Sequence, residues 1–406
     1  MIFPQVFKKP PLNEKGIALF IVIAAISVLA ILVTDFTYIA NINQSIAFGK
    51  LDQIKAHYLA KSALKIGLLR LKIYFKAKDL PVSSPQIKKA IEKIWKEEVQ
   101  FPVSDIFLQQ LSPVQRDEIK KFQENLDLEG FFNLKIISES SKYNLNSLAY
   151  GPENHTDDKN QSPDLNHHEK AREGIKERIK NILSRLFEND QELADRQSNL
   201  NISDLVNEIS LWTNPSRQTY DISNRSSIPM KGAPFYDISE LHMIPSMNDE
   251  LFHLLAPHFR TDSSHSEINI NELNPDSLQA LIPKITNEEL NNFFKYVKEE
   301  KNPLFDTADS FYKYLQEHIG SLQAQNSIEN FKKNLNDKNI TLTKDHTLFK
   351  IIIEAYVNQS KCTLEAWVKV HSKNQTTSPP NPNQNSSPPQ NMNTTNKLQI
   401  ILMRFS

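Results

Sequence analysis

The residues that could carry catalysis are few and poorly placed for it. His168 opens the stretch HEKAR, but the second histidine of an HExxH helix is absent, so no helix face offers two imidazoles to zinc. His167 and His168 read as a solvated pair in a polar stretch. No GxSxG nucleophile turn occurs. The 8 glycines are all isolated, so neither GxGxxG nor a Walker loop can be written and no phosphate cradle is expected. Cys362 is the single cysteine, which excludes an internal disulfide and a multi-cysteine zinc site. It alternates inward on a predicted strand, where a thiol is a core residue and not a nucleophile. Acidic neighbours such as Glu299 and Glu300 read as solvated helix faces. A net charge of −1 gives no general pull toward nucleic acid. The expectation is a protein that is not an enzyme.

The clearest chemistry in the chain is chemistry done to it. Ile17 to Val33 is a run of 17 uncharged residues in which only Ser27 is polar. Asp35 is the sole charge between Lys15 and Lys50. With Phe36 and Tyr38 the apolar stretch reaches about 20 residues, enough to cross a hydrocarbon layer of ~30 Å. Lys8, Lys9 and Lys15 precede it, which predicts a cytoplasmic N-terminus and an outward body. A signal peptide would be cut after the run, beside small residues; AILVTDF is poor material for that. A plain signal anchor is the second reading and needs no glycine at position 16. The third is a cut between Gly16 and Ile17, before the run. A short basic leader ending in glycine resembles the class III signal of type IV prepilins and pseudopilins. This segment alone leaves the last two readings open.

The elements behind it favour the third. From Gln53 to Phe75 apolar residues keep helical spacing (Ile54, Tyr58, Leu59, Ala63, Ile66, Leu69, Ile73), with lysines mostly between them. No proline interrupts Ile17 to Phe75, so one helix of roughly 85–90 Å is expected at ~1.5 Å per residue. Phe131 to Ser140 reads as a strand. Residues 151–170 are almost devoid of apolar side chains and read as a flexible excursion. Helix then follows helix, including ISDLVNEISLW with Ser203 as its expected N-cap. Near the C-terminus the period becomes two, in LFKIIIEAYVN, KCTLEAWVKV and KLQIILMRF, which predicts three antiparallel strands. A proline- and asparagine-rich loop separates the last two.

The predicted class is α+β: a pilin-like long N-terminal helix on a small antiparallel sheet, with a large all-α domain inserted. The expected divisions are a leader (1–16), the transmembrane part of the spine helix (17–38) and its outer part (39–75). The first part of the head (76–150), a polar linker (151–172) and the helical insert (173–320) follow. The C-terminal part of the head (321–406) contains the polar loop 372–396.

This order resembles one family, the minor pseudopilins of bacterial type II secretion known as general secretion pathway protein K. The likeness is carried by KGIALFIVIAAISVLAILV, HYLAKSALKIGLLRL, GFFNLKIISESSKYNLNSL, PFYDISELHMIPSMNDELFHLLAPHF and ININELNPDSLQALI, in that order. The resemblance implies removal of the leader after Gly16 by a prepilin peptidase and methylation of the new amino group on Ile17. It implies a single-pass inner-membrane protein with a periplasmic head, at the tip of a pseudopilus. The implied partners are the other minor pseudopilins (I- and J-type, then H-type) and the major pseudopilin. Most relatives carry glutamate at the fifth mature position; here it is Ile21. A buried carboxylate is costly without a partner, and a tip subunit has no neighbour ahead to supply one, so Ile21 suits the tip.

The family also binds calcium in an aspartate-rich stretch. The corresponding text here is NEISLWTNPSRQTYD, in which Glu208, Asn214 and Asp221 are candidate oxygen ligands; the dense aspartates are absent. Glycine is replaced at PSM (from Pro245) and PKI (from Pro283). ININELNPDSLQALIPKI also resembles the helix-hairpin-helix of DNA-binding proteins, but its turn has no glycine and only Lys284 as a cation, so packing of two small helices is expected. No nucleic-acid partner is expected. A pilin of a type IV pilus or a DNA-uptake system is the alternative function.

Overall fold

The computed structural model describes residues 14–81, 84–103, 112–125, 129–149, 165–213, 231–262, 266–299, 302–338, 340–371 and 397–406. Residues 1–13 of the expected leader and the expected loop 372–396 lie outside the described residues.

One helix runs from Glu14 to Lys78, 65 residues or about 97 Å at ~1.5 Å per residue. Up to Leu51 its apolar side chains are exposed. Beyond that it becomes two-faced. Ala56, Leu59, Ala60, Ala63, Leu71 and Tyr74 are buried, whereas Ile54, Tyr58 and Leu69 face outward. Small residues on the inner face let the helix lie close to the sheet. A Cβ on Gly67 would meet the Ile351 methyls at 3.2 Å and a Leu134 methyl at 3.3 Å.

The partner of that face is a five-stranded antiparallel sheet. Its strands are β1 (Val99–Phe101), β2 (Phe131–Ser138), β7 (Leu348–Val357), β8 (Ser360–His371) and β9 (Lys397–Phe405), in that spatial order. Period-two alternation points Phe132, Leu134 and Ile136 of β2, and Phe349, Ile351 and Ile353 of β7, into the core beneath the helix. Cys362 is buried there with Leu364. The helix Pro85–Lys96 closes one end with its buried Trp95.

Between β2 and β7 lies a second body with its own core. Its helices include Leu165–Asn189, Ile202–Thr213, Pro275–Leu281, Asn287–Lys298, Ala308–His318 and Ser327–Asp337. It also carries two short parallel pairs, β3 (Tyr143–Asn144) with β4 (Phe259–Arg260) and β5 (Ser266–Asn269) with β6 (Ile340–Thr343). Strands of two to four residues are too short to show alternation, which is why the insert reads as all-α from sequence.

The second core also takes in Tyr143, Leu145 and Leu148, which precede the expected insert 173–320, and Ile328, Leu335 and Leu342, which follow it. Helix begins at Leu165, inside the expected linker 151–172; once later turns are packed, propagation backward fixes one residue per hydrogen bond gained. The N-cap of Ile202–Thr213 is Asn201, whose Oδ1 accepts from the Ser203 and Asp204 amides at 3.0 and 3.4 Å, and not Ser203. Asparagine caps as well as serine does, so the apolar Ile202 between them decides the position by packing against the core.

Candidate functional site

Among the described residues the exposed half of the spine has no packing partner. Ile17 is 47% exposed, Ile21 61% and Phe20 72%. By length and composition this helix can cross a membrane. Its few polar groups are satisfied within the helix. Ser27 Oγ donates to the Ile23 carbonyl at 2.9 Å, and the Thr34 and Thr37 hydroxyls donate to the Ala30 and Val33 carbonyls at 2.8 Å. That is the condition for backbone and hydroxyl groups in hydrocarbon. Gly16 and Ile17 sit in the first turn of the described helix. Glycine costs a helix ~1 kcal/mol relative to alanine, which weakens the first turn, where the Gly16–Ile17 bond lies.

The calcium candidates are not brought together by any described geometry. Asn214 and Asp221 lie outside the described residues. Glu208 accepts from the Ser246 amide at 3.0 Å and the Ser246 hydroxyl at 2.9 Å, one bond to each carboxylate oxygen. Ser246 is the middle residue of PSM, one of the stretches at which glycine is replaced, and its hydroxyl bonds Glu208 Oε1.

A different polar cluster is one that sequence reasoning missed. Glu92, Glu272 and His346 place ligand-type atoms within 4.8 Å of one another. Each is already engaged. Tyr74 donates to Glu92 Oε1 at 2.8 Å and Trp95 Nε1 donates to Oε2 at 2.9 Å. Lys96 Nζ lies 2.6 Å from Glu272 Oε1. His346 Nδ1 lies 2.9 Å from Ser138 Oγ, and Asn269 stands at 3.4 Å from the same nitrogen. Burial works to raise the Glu92 carboxyl, but the bonds from His346, Tyr74 and Trp95 outweigh it and hold the group at about 2. Burial, with Glu92 beside it, pushes the Tyr74 phenol far up. The cluster is therefore a latch joining spine, head and inserted domain. Around it stand further ties between the two bodies: Lys88 to Asp306 at 2.7 Å, Arg404 of β9 to Asp237 at 2.6 Å, and Arg260 to the Thr347 hydroxyl at 2.8 Å. None of these pairs is near in sequence, so no local signal could have found them.

The hairpin Pro275–Leu281 and Asn287–Lys298 turns through Ile282 and Ile285, both buried. Ile282 and Ile285 face the core, while Pro283 and Lys284 between them are exposed.

A long helix half seated on a small antiparallel sheet, with a helical body spliced between two neighbouring strands, defines a pilin-like α+β class. Among solved structures, the chain is similar to one chain of the GspK–GspI–GspJ complex of the type 2 secretion system of enterotoxigenic Escherichia coli. The TM-score is 0.54 at 15% identity, over 88% of this chain and 98% of that one. The fold implied by the sequence resemblance is thus the fold observed. No family model matches the chain, and no curated protein matches it either.

Proposed function

We propose that the chain is a minor pseudopilin of a bacterial type II secretion system, acting by assembly and not by catalysis. The observation that carries this is the spine: an apolar half, with Asp35 its sole charge between Lys15 and Lys50, left bare and continued without a break into a half seated on a sheet that is interrupted by a large second body. The similarity to a chain of the GspK–GspI–GspJ complex supports the same reading. In this reading prepilin peptidase cuts between Gly16 and Ile17 and methylates Ile17. The bare helix stands in the inner membrane, head outward in the periplasm, until it packs beside the spines of I- and J-type minor pseudopilins. The inserted body is too bulky to lie within a filament, so the chain sits at the tip, where it initiates or caps a pseudopilus of H-type and major subunits. Ile21 fits that place, because a subunit with no neighbour ahead has nothing to pair a carboxylate there.

The test is export. Deleting the chain in its own bacterium should leave folded cargo in the periplasm, and the full-length chain should restore release. Unchanged export, together with salt-dependent DNA binding by the full-length chain in detergent, would favour the DNA-uptake reading.

A further inference from the structure

Opposite the sheet, the outer half of the spine carries a stripe of mixed character. Ile54, Tyr58 and Leu69 are exposed along it. Lys61, Lys65, Lys72 and Lys76 stand on the same line. The seven positions are separated by steps of three or four residues, the spacing that keeps side chains on one face of a helix. Among the described residues none of the four lysines makes an ion pair. Lys61 Nζ lies 5.7 Å from the ring centroids of Tyr58 and Phe405. Two lysines off the stripe are paired: Lys55 with Glu129 and Lys78 with Asp345. Asp52 is the only acidic residue between Lys50 and Lys78, and it accepts from Asn358 at 3.0 Å.

We infer that this stripe is the docking face for a parallel helix of a different subunit, one bearing Asp or Glu at matching three- and four-residue steps with apolar side chains between. The inference rests on the proposed function for the premise that the neighbour is anchored in the same membrane. A lipid surface does not fit. The stripe runs along the axis of a membrane-crossing helix, so Lys61 stands about 35 Å and Lys76 about 57 Å beyond Tyr38 at ~1.5 Å per residue. Screening removes lipid charge within ~10 Å. A second copy does not fit either. Anchored in the same membrane it runs parallel and sets lysine against lysine. Unlike charges at the rim of an apolar contact give partner choice and register more than affinity, which suits a subunit that must take one neighbour and refuse its own kind.

The experiment uses the full-length chain in detergent with the I- and J-type subunits of the same system, co-expressed. Dissociation constants are measured between about 0.1 M and about 1 M salt, where the screening length falls from ~10 Å to ~3 Å. They are repeated with the triple variant Lys65→Glu, Lys72→Glu, Lys76→Glu, whose thermal melt should match the parent because these side chains are exposed. The expected result is a loss of about tenfold or more from salt and from the variant, recovered when the facing acids of the partner are exchanged for lysine. A complex indifferent to both overturns the inference and leaves the proposed function standing. No complex with either subunit overturns both. Two outcomes with the chain alone also overturn it: a Lys65→Cys homodimer formed by disulfide, or Lys65 and Lys72 protected from acetylation, which would mean that a segment of the same chain already covers the stripe.

Discussion

His346 Nε2 lies 3.5 Å from Oε2 of Glu92, and the other ring nitrogen faces Ser138 of β2 and Asn269 of the inserted domain. One imidazole thus joins the helix under the spine, the sheet and the second body. Glu92 is held at about 2 against an ordinary 4.5. A depressed carboxyl stabilises the fold fully above its unfolded value, and the contribution is lost as pH falls from about 4.5 to about 2. The shift corresponds to on the order of 3 kcal/mol. Denaturant titration of the full-length chain in detergent should show Glu92→Gln less stable than the parent at neutral pH, with the difference closing across that window. A variant that follows the parent at every pH would rule the latch out.

Gly130 has φ 103°, and a Cβ there would sit 2.2 Å from the Tyr356 carbonyl oxygen. Backbone cannot yield as a side chain can, so Gly130→Ala should cost more than ~2 kcal/mol. Gly67→Ala meets only methyl groups, at 3.2 to 3.3 Å, and alanine's helix preference of ~1 kcal/mol offsets part of that strain. Paired thermal melts should therefore rank Gly130→Ala far below Gly67→Ala; equal melting temperatures would contradict the close packing at β2.

Arg260 and Asp262 are both buried, with Nε and Oδ1 3.8 Å apart. Removing the carboxylate leaves a buried cation beside β4, so Asp262→Ala should destabilise by roughly 3–5 kcal/mol. Thr347→Ala removes one neutral acceptor from Arg260 and should cost about 1–3 kcal/mol. Reversal of that order would show that Thr347, and not Asp262, anchors the guanidinium.

Ile21→Glu places a carboxylate on the bare part of the spine. At the proposed tip it has no partner ahead of it, and an acidic side chain within a membrane helix costs ~2.5–3.5 kcal/mol near the centre. Export in a strain complemented with this variant should fall, while Ile21→Leu exports normally. Improved export by the glutamate variant would place the subunit inside the filament.

How much of this could be read from residues alone depended on range. The spine was legible because more than fifty residues between Ile17 and Phe75 hold one pattern without proline. β7 and β8 were legible because buried and half-buried positions alternate from Phe349 to Val357 and from Cys362 to Lys369. The limits of the insert were not, since Tyr143 and Leu342 join its core through contacts that no local period reveals. The proposed processing residues came from a junction motif, Gly16 after a short basic segment. The latch at Glu92 and His346 left no trace, because such a contact is defined by where the fold brings two ordinary residues. The calcium candidates came from family position, and the bond from the Ser246 hydroxyl to Glu208 was visible only in the fold.

The most direct measurement is N-terminal sequencing by mass spectrometry of the chain extracted from its own bacterial membranes. Proposed processing predicts a single N-terminus at Ile17, carrying a methyl group on its amine, and its loss when prepilin peptidase is deleted. An intact N-terminus at Met1 in the wild-type cell, or a cut beyond Val33, would contradict it.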